Sequence, residues 1–291
     1  MTTLICLIAK NENLYINEFI DHYKKIGITN IALYDNNDIG GRELSENFYD
    51  VIENEINNGY VIYHNIRGIK KCQTDIYSNC YEQYKDKYDW ILFIDCDEFL
   101  ELVKHKTIND FLSEPYINLH NMIHLNWMVF GDNEKLYYEN KKLSERFKNP
   151  IPFDTLYTCH PDNGVLLSKD NKIINLDYPI NYTIKSIIKG HLNINKLVWE
   201  NPHTPLNNIL CCDQFGITCC NNVYCMPYNY SVAYLKHYCF KSTEEYANKI
   251  IRGYPDQLLD DTAKLQLINH YFSINTYSDE KLNIFKDKLN I

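Results

Sequence analysis

Three acidic residues, Asp95, Asp97 and Glu98, follow directly on the apolar run 90–94. Carboxylates crowded in this way repel one another, and the repulsion raises their pKa values unless a cation is present. A hard dication such as Mn²⁺ or Mg²⁺ removes the repulsion and can bridge to the phosphates of a substrate. The spacing therefore predicts a metal-dependent site, while the plain alternative is an Asp-x-Asp segment that only caps a turn.

Two other carboxylate motifs fit this segment poorly. An EF-hand loop that began at Asp95 would need glycine at its sixth position, where Leu100 stands. A phosphatase that forms an aspartyl phosphate normally has threonine or valine two residues after the second aspartate, where Phe99 stands. The acidic segment is therefore interpreted as part of a dication site for a phosphorylated ligand.

The residues before Gly131 alternate between apolar runs, which predict strands, and apolar residues three or four apart, which predict helices. The predicted strands span 4–9, 30–35, 60–64 and 90–94, and the predicted helices span 15–26, 43–57 and 71–84. This alternation is typical of a parallel sheet, with 90–94 as a central strand buried on both faces. Ligands gather at the carboxyl ends of such strands, so we expect the acidic segment to face a crevice.

Beyond Gly131 the pattern loosens into loops and short strands that are interrupted by prolines. Such stretches usually carry substrate contacts rather than scaffold. Helical patterns return after Ser242 and again over 258–272. The chain therefore divides into a regular first half, an irregular middle and a helical end.

The chain has 291 residues, of which 45% are hydrophobic and 23% charged, so it can form either one large α/β domain or a core with an appendage. Its formal charge of −9 argues against binding to a nucleic-acid backbone, which requires clustered Lys and Arg. The apolar run 4–9 is followed by Lys10 and is too short for a signal peptide, and no run approaches the length of a membrane span. We therefore expect a soluble protein.

Eleven cysteines in a chain of this length are best interpreted as buried small hydrophobic residues in a reducing compartment, which predicts a cytoplasmic location. The pairs Cys211-Cys212 and Cys219-Cys220 raise the alternative of zinc. Structural zinc sites usually show Cys-x₂₋₄-Cys, and neighbouring cysteines point in different directions, so the pairs do not favour zinc.

Several blocks of sequence occur in an order that is typical of one family. They are Lys10-Asn11-Glu12, Asp21-His22-Tyr23, Tyr34-Asp35-Asn36, Gln73, the segment 90–100, the segment 127–131, Glu145-Arg146-Phe147, the segment 185–188, His203-Thr204, and His237-Tyr238 with Lys241-Ser242. With these blocks the chain resembles the metal-dependent glycosyltransferases of the GT-A fold, specifically glycosyltransferase family 92 and the related family 2-like group.

The resemblance implies an α/β, Rossmann-like fold with a mostly parallel central sheet, flanking helices and a helical C-terminal tail. It implies a GT-A domain over 1–240, with a nucleotide-sugar half (1–131) and an acceptor half (132–240), and a helical extension over 241–291. The implied activity is the transfer of a sugar, with inversion, from a nucleotide-sugar to a hydroxyl acceptor on a glycan or protein. A UDP-sugar is the commonest donor among relatives, and Mn²⁺ or Mg²⁺ is the implied cofactor.

The resemblance also assigns roles to individual residues. Those expected to bind the nucleotide-sugar are Ala9, Lys10, Asn11, Glu12, Asp35, Asn36, Gln73, Asp95, Cys96 and Lys241. Those expected to hold the metal are Asp95, Asp97 and His237, with His203 as a further candidate ligand. The plain alternatives are a salt-bridged Lys10, a turn-forming Asp35, a packed His237 and a solvated Lys241.

An inverting transfer needs a carboxylate that takes the proton of the acceptor hydroxyl. The candidates in the irregular half are Asp132, Glu145, Asp154, Asp162 and Asp213. Asp132 and Glu145 are the named catalytic candidates, and the alternative for Glu145 is a structural pair with Arg146.

Two other functions remain open. A nucleotidyltransferase that makes sugar nucleotides would carry a Gly-rich, basic loop after its first strand, and the sequence has none there. A non-catalytic protein that binds sugar nucleotides would show binding without turnover.

Overall fold

The computed structural model describes residues 1–39, 48–151, 158–159, 166–167, 180–225, 230–253 and 259–290. The strands in these parts are β1 (Thr3–Ala9), β2 (Asn30–Asp35), β3 (Val61–Asn65), β4 (Trp90–Phe93), β5 (Glu98–Leu102), β6 (Met122–Val129), β7 (Thr158–Cys159), β8 (Leu166–Leu167), β9 (Ile184–Lys189), β10 (Cys211–Cys212), β11 (Thr218–Cys219) and β12 (Ala233–His237). The helices are α1 (Ile16–Lys25), α2 (Phe48–Val51), α3 (Glu53–Asn57), α4 (Gln73–Tyr84), α5 (Ile108–Leu112), α6 (Pro115–Asn118), α7 (Leu143–Arg146), α8 (Thr243–Arg252), α9 (Asp261–Ile274) and α10 (Asp279–Leu289).

One large sheet organises the described residues, with the strand order β11-β10-β6-β9-β4-β1-β2-β3. The strands β4, β1, β2 and β3 run parallel to one another, and β9 lies antiparallel between β4 and β6. Strand β12 pairs with β6 in parallel and with β5 in antiparallel orientation. The mostly parallel sheet, its flanking helices and the helices at the C-terminus confirm the predicted fold class.

The regular first half follows the predicted pattern closely. Strands predicted over 4–9, 30–35, 60–64 and 90–94 and the helices predicted over 15–26 and 71–84 all form, with ends shifted by one or two residues. Gly27 ends α1 with φ of 87°, a left-handed conformation that glycine adopts without strain. Of the helix predicted over 43–57, α2 and α3 are described and residues 43–47 lie outside the described residues.

The centre of the sheet is buried on both faces, as the apolar runs predict. In β1, Ile5 and Leu7 belong to one core layer, whereas Leu4 and Cys6 belong to the layer on the other face. All four residues of β4 are buried. This double burial fixes β1 and β4 rigidly, so the loops that leave their carboxyl ends start from defined positions.

Strand order reverses between β1 and β4, because the chain builds β2 and β3 on one side of β1 and then returns to place β4 on its other side. At such a switch point the loops from two carboxyl ends diverge and leave a crevice. The loop after β1 contains Lys10 and Glu12, and the loop after β4 contains Asp95 and Asp97. The acidic segment therefore lies where the sequence predicts a crevice.

The helical end packs back onto the molecule. Ser242 caps α8, because its side chain accepts from the backbone of Glu245 while the Glu245 carboxylate accepts from the backbone of Ser242. Helix α10 packs on α8, and its Lys281 forms a buried ion pair with Asp132 at 2.6 Å. Among the described residues, no helix is both long enough and apolar enough to cross a membrane.

Candidate active site

A cavity of about 360 Å³ opens at the carboxyl ends of β1 and β4. Its charged lining combines residues from three parts of the chain, namely Lys10, Glu12, Asp95, Asp97, Lys249 and Arg252, and His237 and Gln73 contribute further polar groups. Carboxylates, a histidine and three cations thus converge in one concave site, which is the arrangement expected of a site for an anionic ligand.

Asp97 is the most constrained carboxylate of the cavity. Its Oδ1 lies 3.5 Å from His237 Nε2 and its Oδ2 lies 3.2 Å from Lys249 Nζ. Strand β12 ends at His237, and α8 carries Lys249, so the contacts join two elements to the acidic segment. Burial alone would raise the pKa of Asp97, but the charge of Lys249 and a hydrogen bond from His237 outweigh burial and hold that pKa well below its usual range. Asp97 is therefore ionised at neutral pH.

Asp95 forms an ion pair with a buried lysine. Lys185 Nζ, on β9, lies 2.7 Å from Asp95 Oδ2 and 4.0 Å from Glu98 Oε1, and the Lys185 side chain is 1% exposed. Burial would lower the pKa of Lys185, but Asp95 and Glu98 raise it above its usual value. The Asp95 backbone also donates to Glu98 Oε2 at 2.9 Å. Glu98 thus supports Asp95 from the interior.

His237 has the features of a neutral ligand. Burial lowers its pKa even though Asp97 opposes the shift, so the imidazole is neutral near pH 7. Its ring lies 4.1 Å from the ring of Trp127, which fixes its orientation. Among the described residues, Nδ1 of His237 is buried without a hydrogen-bond partner. His203, the further candidate ligand, also lines the cavity, but its Nδ1 is 2.9 Å from the carbonyl oxygen of Ile184.

The loop after β1 is tied to α8. Arg252 contacts Glu12 Oε1 at 2.5 Å and donates to the carbonyl of Lys10, also at 2.5 Å. Asn11 adopts a left-handed conformation with φ of 51° and donates its backbone N–H to Asn37. Lys10 lines the cavity and pairs with Asp38 at 3.2 Å. The loop is therefore held in one shape by side chains from distant parts of the sequence.

Lys241 lies beside this cavity rather than in its wall. It lines an adjoining cavity of about 300 Å³, is 5% exposed and pairs with Glu12 Oε2 at 3.1 Å. Its ammonium group also lies 4.1 Å from the centre of the Tyr15 ring. In place of Lys241, Lys249 and Arg252 present positive charge to the cavity.

Asp35 and Asn36 end β2 and are buried. Asp35 accepts through Oδ1 from the backbone of Asn37 and through Oδ2 from the backbone of Phe48 and the hydroxyl of Tyr63. Asn36 donates to the carbonyls of Ile66 and Ile69 and its backbone donates to Ala9. These contacts shape the turn after β2, in agreement with the turn-forming alternative for Asp35.

Gln73 and Cys96 both line the cavity. Gln73 stands at the first turn of α4, and its side chain donates to Asp95 Oδ1 at 3.3 Å. Cys96 lies between the two aspartates, and burial raises the pKa of its thiol. Gln73 therefore helps to hold Asp95 in place at the cavity.

The base candidates that the structure describes, Asp132, Glu145 and Asp213, are not among the residues that line the cavity. Glu145 is exposed on the one-turn helix α7, whose Arg146 pairs with Glu245 at 2.6 Å. Asp132 is buried against Lys281 and accepts from the Tyr271 hydroxyl at 2.5 Å. Asp213 is also buried and accepts from two backbone N–H groups after β10. Asp154 and Asp162 lie outside the described residues, so all five stay predictions.

Two cations of the site, Lys249 and Arg252, are absent from the residues singled out in the sequence, and a third, Lys185, appears there only as the first residue of the family block 185–188. Lys249 and Arg252 stand three residues apart on α8, and Lys185 is 90 positions from Asp95. The spacing of Glu245, Lys249 and Arg252 places them on one face of a helix, which was the available signal. For Lys185 the signals are its place at the start of the family block 185–188 and its position among apolar residues, where an unpaired charge would be costly.

A family model for glycosyltransferase family 92 matches residues 4–257 of the chain. A glycosyltransferase family 92 protein of Oryza sativa subsp. japonica is 26% identical over 108 residues, which are 37% of this chain and 18% of that protein. A family 92 protein of Ricinus communis is 28% identical over 107 residues, which are 36% of this chain and 18% of that protein. The matched part therefore spans less than a fifth of either relative's length.

Among solved structures, S. aureus TarS 1–349 is similar with a TM-score of 0.40 and 14% identity, over 99% of this chain and 79% of that chain. The structure of GalNAc-T7 with UDP, GalNAc and Mn²⁺ is similar with a TM-score of 0.32 and 15% identity, over 45% of this chain and 24% of that chain. Both are distant from this chain in sequence.

Proposed function

The chain belongs to glycosyltransferase family 92, and from that premise we propose that its cavity binds a nucleotide-sugar and transfers the sugar to a hydroxyl acceptor. The observation that carries the proposal is the convergence of Asp97, His237, Lys249 and Arg252 in the cavity at the switch point of the sheet. A ligand that bears a diphosphate matches both the size of this cavity and the positive charge of Lys249 and Arg252.

The residues present fit a hard dication. Asp97 Oδ1 and His237 Nε2 are 3.5 Å apart, and adjacent ligands of an octahedral ion bound at about 2.1 Å lie roughly 3 Å apart. His237 is neutral, and its Nδ1 lacks a partner among the described residues, so either ring nitrogen can carry the remaining proton. We propose Asp97 and His237 as ligands of Mn²⁺ or Mg²⁺. The bound ion would offset negative charge on a departing diphosphate.

Asp95 has a different proposed role. Lys185 lies 2.7 Å from one Asp95 oxygen, closer than Lys249 lies to Asp97 at 3.2 Å, so Asp95 is the less available of the two for a second cation. Its other oxygen accepts from Gln73 at 3.3 Å and faces the cavity wall, where it can accept from a ribose hydroxyl. We therefore propose that Asp95, Gln73 and the loop 9–12 orient the nucleoside.

Lys249 and Arg252 are proposed to stabilise the leaving diphosphate. Breaking the bond between sugar and phosphate increases negative charge on the nucleotide, and cations that meet this charge lower the barrier. Both residues are partly exposed to the cavity, at 15% and 16% of the side chain, so a ligand can reach them. A UDP-sugar donor, a glycan or protein acceptor and inversion of the sugar carbon complete the proposal.

A thermal-shift experiment with nucleoside diphosphates tests the proposal. We expect UDP with Mn²⁺ to raise the melting temperature, because a ligand at 100 times its Kd stabilises the folded state by about 2.7 kcal/mol. His237→Ala should remove the Mn²⁺-dependent part of the shift. His191→Asn is a matched control, since His191 is exposed and asparagine tolerates its positive φ.

Turnover separates the proposed enzyme from a binding protein. We expect release of UDP from at least one UDP-sugar in the presence of Mn²⁺. Binding of UDP without release of UDP from any donor would favour the non-catalytic alternative. Release of pyrophosphate from a nucleoside triphosphate and a sugar phosphate would instead favour the nucleotidyltransferase.

A further inference from the structure

A second group of metal-ligating atoms lies on another part of the sheet. His124 Nδ1, Cys211 Sγ and Cys219 Sγ are all within 4.8 Å of one another. They come from three adjacent strands, because Cys211 on β10 lies directly opposite Cys219 on β11 and beside Met122 on β6. His124 is two residues beyond Met122 and therefore shares its face. The sheet register, rather than a sequence motif, assembles this group.

The distances in this group match one particular ion. Zinc bound tetrahedrally at about 2.3 Å from sulfur and about 2.0 Å from nitrogen separates two sulfurs by roughly 3.8 Å, and a sulfur from a nitrogen by roughly 3.5 Å. The two Sγ atoms are 3.9 Å apart, and Cys219 Sγ is 3.6 Å from His124 Nδ1. A disulfide would require the sulfurs to approach to about 2.05 Å. The arrangement is therefore closer to zinc ligands than to a disulfide.

A hydrogen bond from Nε2 of His124 leaves Nδ1 of the same ring free to bind a metal ion. Asn221 donates its Nδ2 to the carbonyls of Pro205 and Asn207, so its Oδ1 faces Thr204 and accepts the Thr204 hydroxyl proton. The Thr204 oxygen then accepts from His124 Nε2 at 3.5 Å. With the proton on Nε2, the Nδ1 lone pair points at Cys219. Metal-binding histidines are commonly oriented by such a partner on their second nitrogen.

We propose that His124 Nδ1 and the thiolates of Cys211, Cys219 and Cys225 bind one structural Zn²⁺, and we call these four residues the thiol cluster. Cys225 is 1% exposed and lies beside Cys219, which makes it our assignment for the fourth position. Binding converts three thiols into three thiolates and releases three protons, with no change in oxidation state. Cys211 gives up its present hydrogen bond to the Cys219 carbonyl.

Soft thiolates with one imidazole are the ligands that select zinc over Mg²⁺ or Mn²⁺. Most of the thiol cluster is buried, with His124 at 0% and Cys211 at 2% exposure, and Cys219 is half-buried, which suits a structural site near the surface. It would join β6, β10 and β11 to the loop of Thr204, and His203 in that loop lines the cavity. The zinc site would thereby stiffen one wall of the cavity without contributing a ligand to it.

Metal analysis of the purified, reduced full-length chain tests the proposal. We expect about one zinc per chain in the natural protein and less than about 0.1 in Cys211→Ser. Cys212→Ser is a matched control, because Cys212 is the next residue of β10 but packs into the core layer on the opposite face. Equal zinc in Cys211→Ser and Cys212→Ser would overturn the proposal, as would a Cys211–Cys219 disulfide found in the unreduced protein.

A measurement on the natural chain covers the case in which the variant does not fold. After zinc is removed, a titration with Co²⁺ should produce the near-ultraviolet absorption of thiolate-bound cobalt, and Zn²⁺ should abolish it. Cobalt that binds without thiolate absorption would overturn the proposal. Cys225→Ser should lower the thiolate absorption by about one third, and unchanged absorption would overturn the assignment of Cys225.

The partner of His124 gives a graded test. Thr204→Val removes the acceptor of His124 Nε2 and should weaken zinc binding by about 10-fold to 100-fold in a competition titration. Unchanged zinc affinity in Thr204→Val would contradict the hydrogen-bond argument. None of these measurements requires a nucleotide or turnover, so failure here is distinguishable from failure of the proposed glycosyltransferase activity.

Discussion

The cavity and the thiol cluster are two regions of one sheet, and the metal ligands that we propose for them have opposite character. Asp97 and His237 offer oxygen and nitrogen atoms and open into a cavity of about 360 Å³. Cys211, Cys219 and His124 offer sulfur and nitrogen atoms, and of these residues Cys211 and His124 are buried and Cys219 is half-buried. Open sites with hard ligands exchange their ions and substrates, whereas closed sites with soft ligands keep theirs. The difference indicates that the cavity serves the chemistry and that the thiol cluster stabilises the fold.

We expect Asp97→Asn to impair turnover at the cavity without affecting the thiol cluster. Loss of this carboxylate removes a proposed dication ligand, so we expect UDP release to fall by at least about 100-fold. Zinc content should stay at the natural level. The matched control is Glu101→Gln, which removes a nearby β5 carboxylate that pairs with Lys236 at 2.6 Å. Turnover retained in Asp97→Asn would remove Asp97 from the mechanism.

Lys249 and Lys241 lie close together in the sequence, and we expect their substitution to separate an effect on turnover from an effect on stability. Lys249→Met removes a cation of the cavity, and we expect turnover to fall by about 10-fold to 100-fold. Lys241→Met leaves Glu12 with Arg252 as its remaining partner, so we expect a loss of about 2 kcal/mol in unfolding free energy. Urea unfolding and UDP release measure the two effects. The reverse pattern would return Lys241 to the role predicted from the sequence.

The pH dependence of stability tests the burial of His203, which lies between the cavity and the thiol cluster. Burial lowers the pKa of His203 to about 4, against about 6.5 in the unfolded chain. As pH falls below 6.5 the unfolded state takes up the proton first, so stability declines between about pH 6.5 and pH 4 and then levels off. We expect His203 to lower the free energy of unfolding by about 2 kcal/mol at pH 5, compared with neutral pH. His203→Gln should reduce this loss, and His191→Asn should not.

Glu145→Gln gives the smallest expected effect. A general base contributes about 100-fold to 10,000-fold to rate, so its loss would be obvious in steady-state turnover. Because Glu145 is exposed on α7 and its neighbour Arg146 pairs with Glu245, we expect a change of less than about threefold. A drop of 100-fold or more would restore Glu145 as the base predicted from the sequence.

The sequence predicts the first half of the fold well because the signals there are local. The runs that become β1, β2 and β4 are continuous and apolar, and the acidic segment follows β4 in the chain. Position at a strand end was therefore enough to place Asp95 and Asp97 in the cavity. Strands β6, β9 and β12 were not predicted, because their partners lie far away in sequence.

The contacts that complete each region are long-range, and no local pattern encodes them. Lys185 reaches Asp95 only through the antiparallel pairing of β9 with β4. One cysteine from each adjacent pair enters the thiol cluster, because neighbouring residues of a strand face opposite sides. The sequence argument that neighbouring cysteines diverge was sound, yet the register of β10 and β11 brings Cys211 to Cys219.

Lys185 acts as a built-in counterion for the acidic segment, because its ammonium group is shielded from water and dissolved salt cannot displace it. Charges more than about 8 Å apart in solvent are largely screened at physiological ionic strength. An incoming anion therefore responds to the local balance near Lys249 and Arg252 rather than to the net charge of −9. An acidic chain can therefore bind a negatively charged ligand before it binds a metal ion.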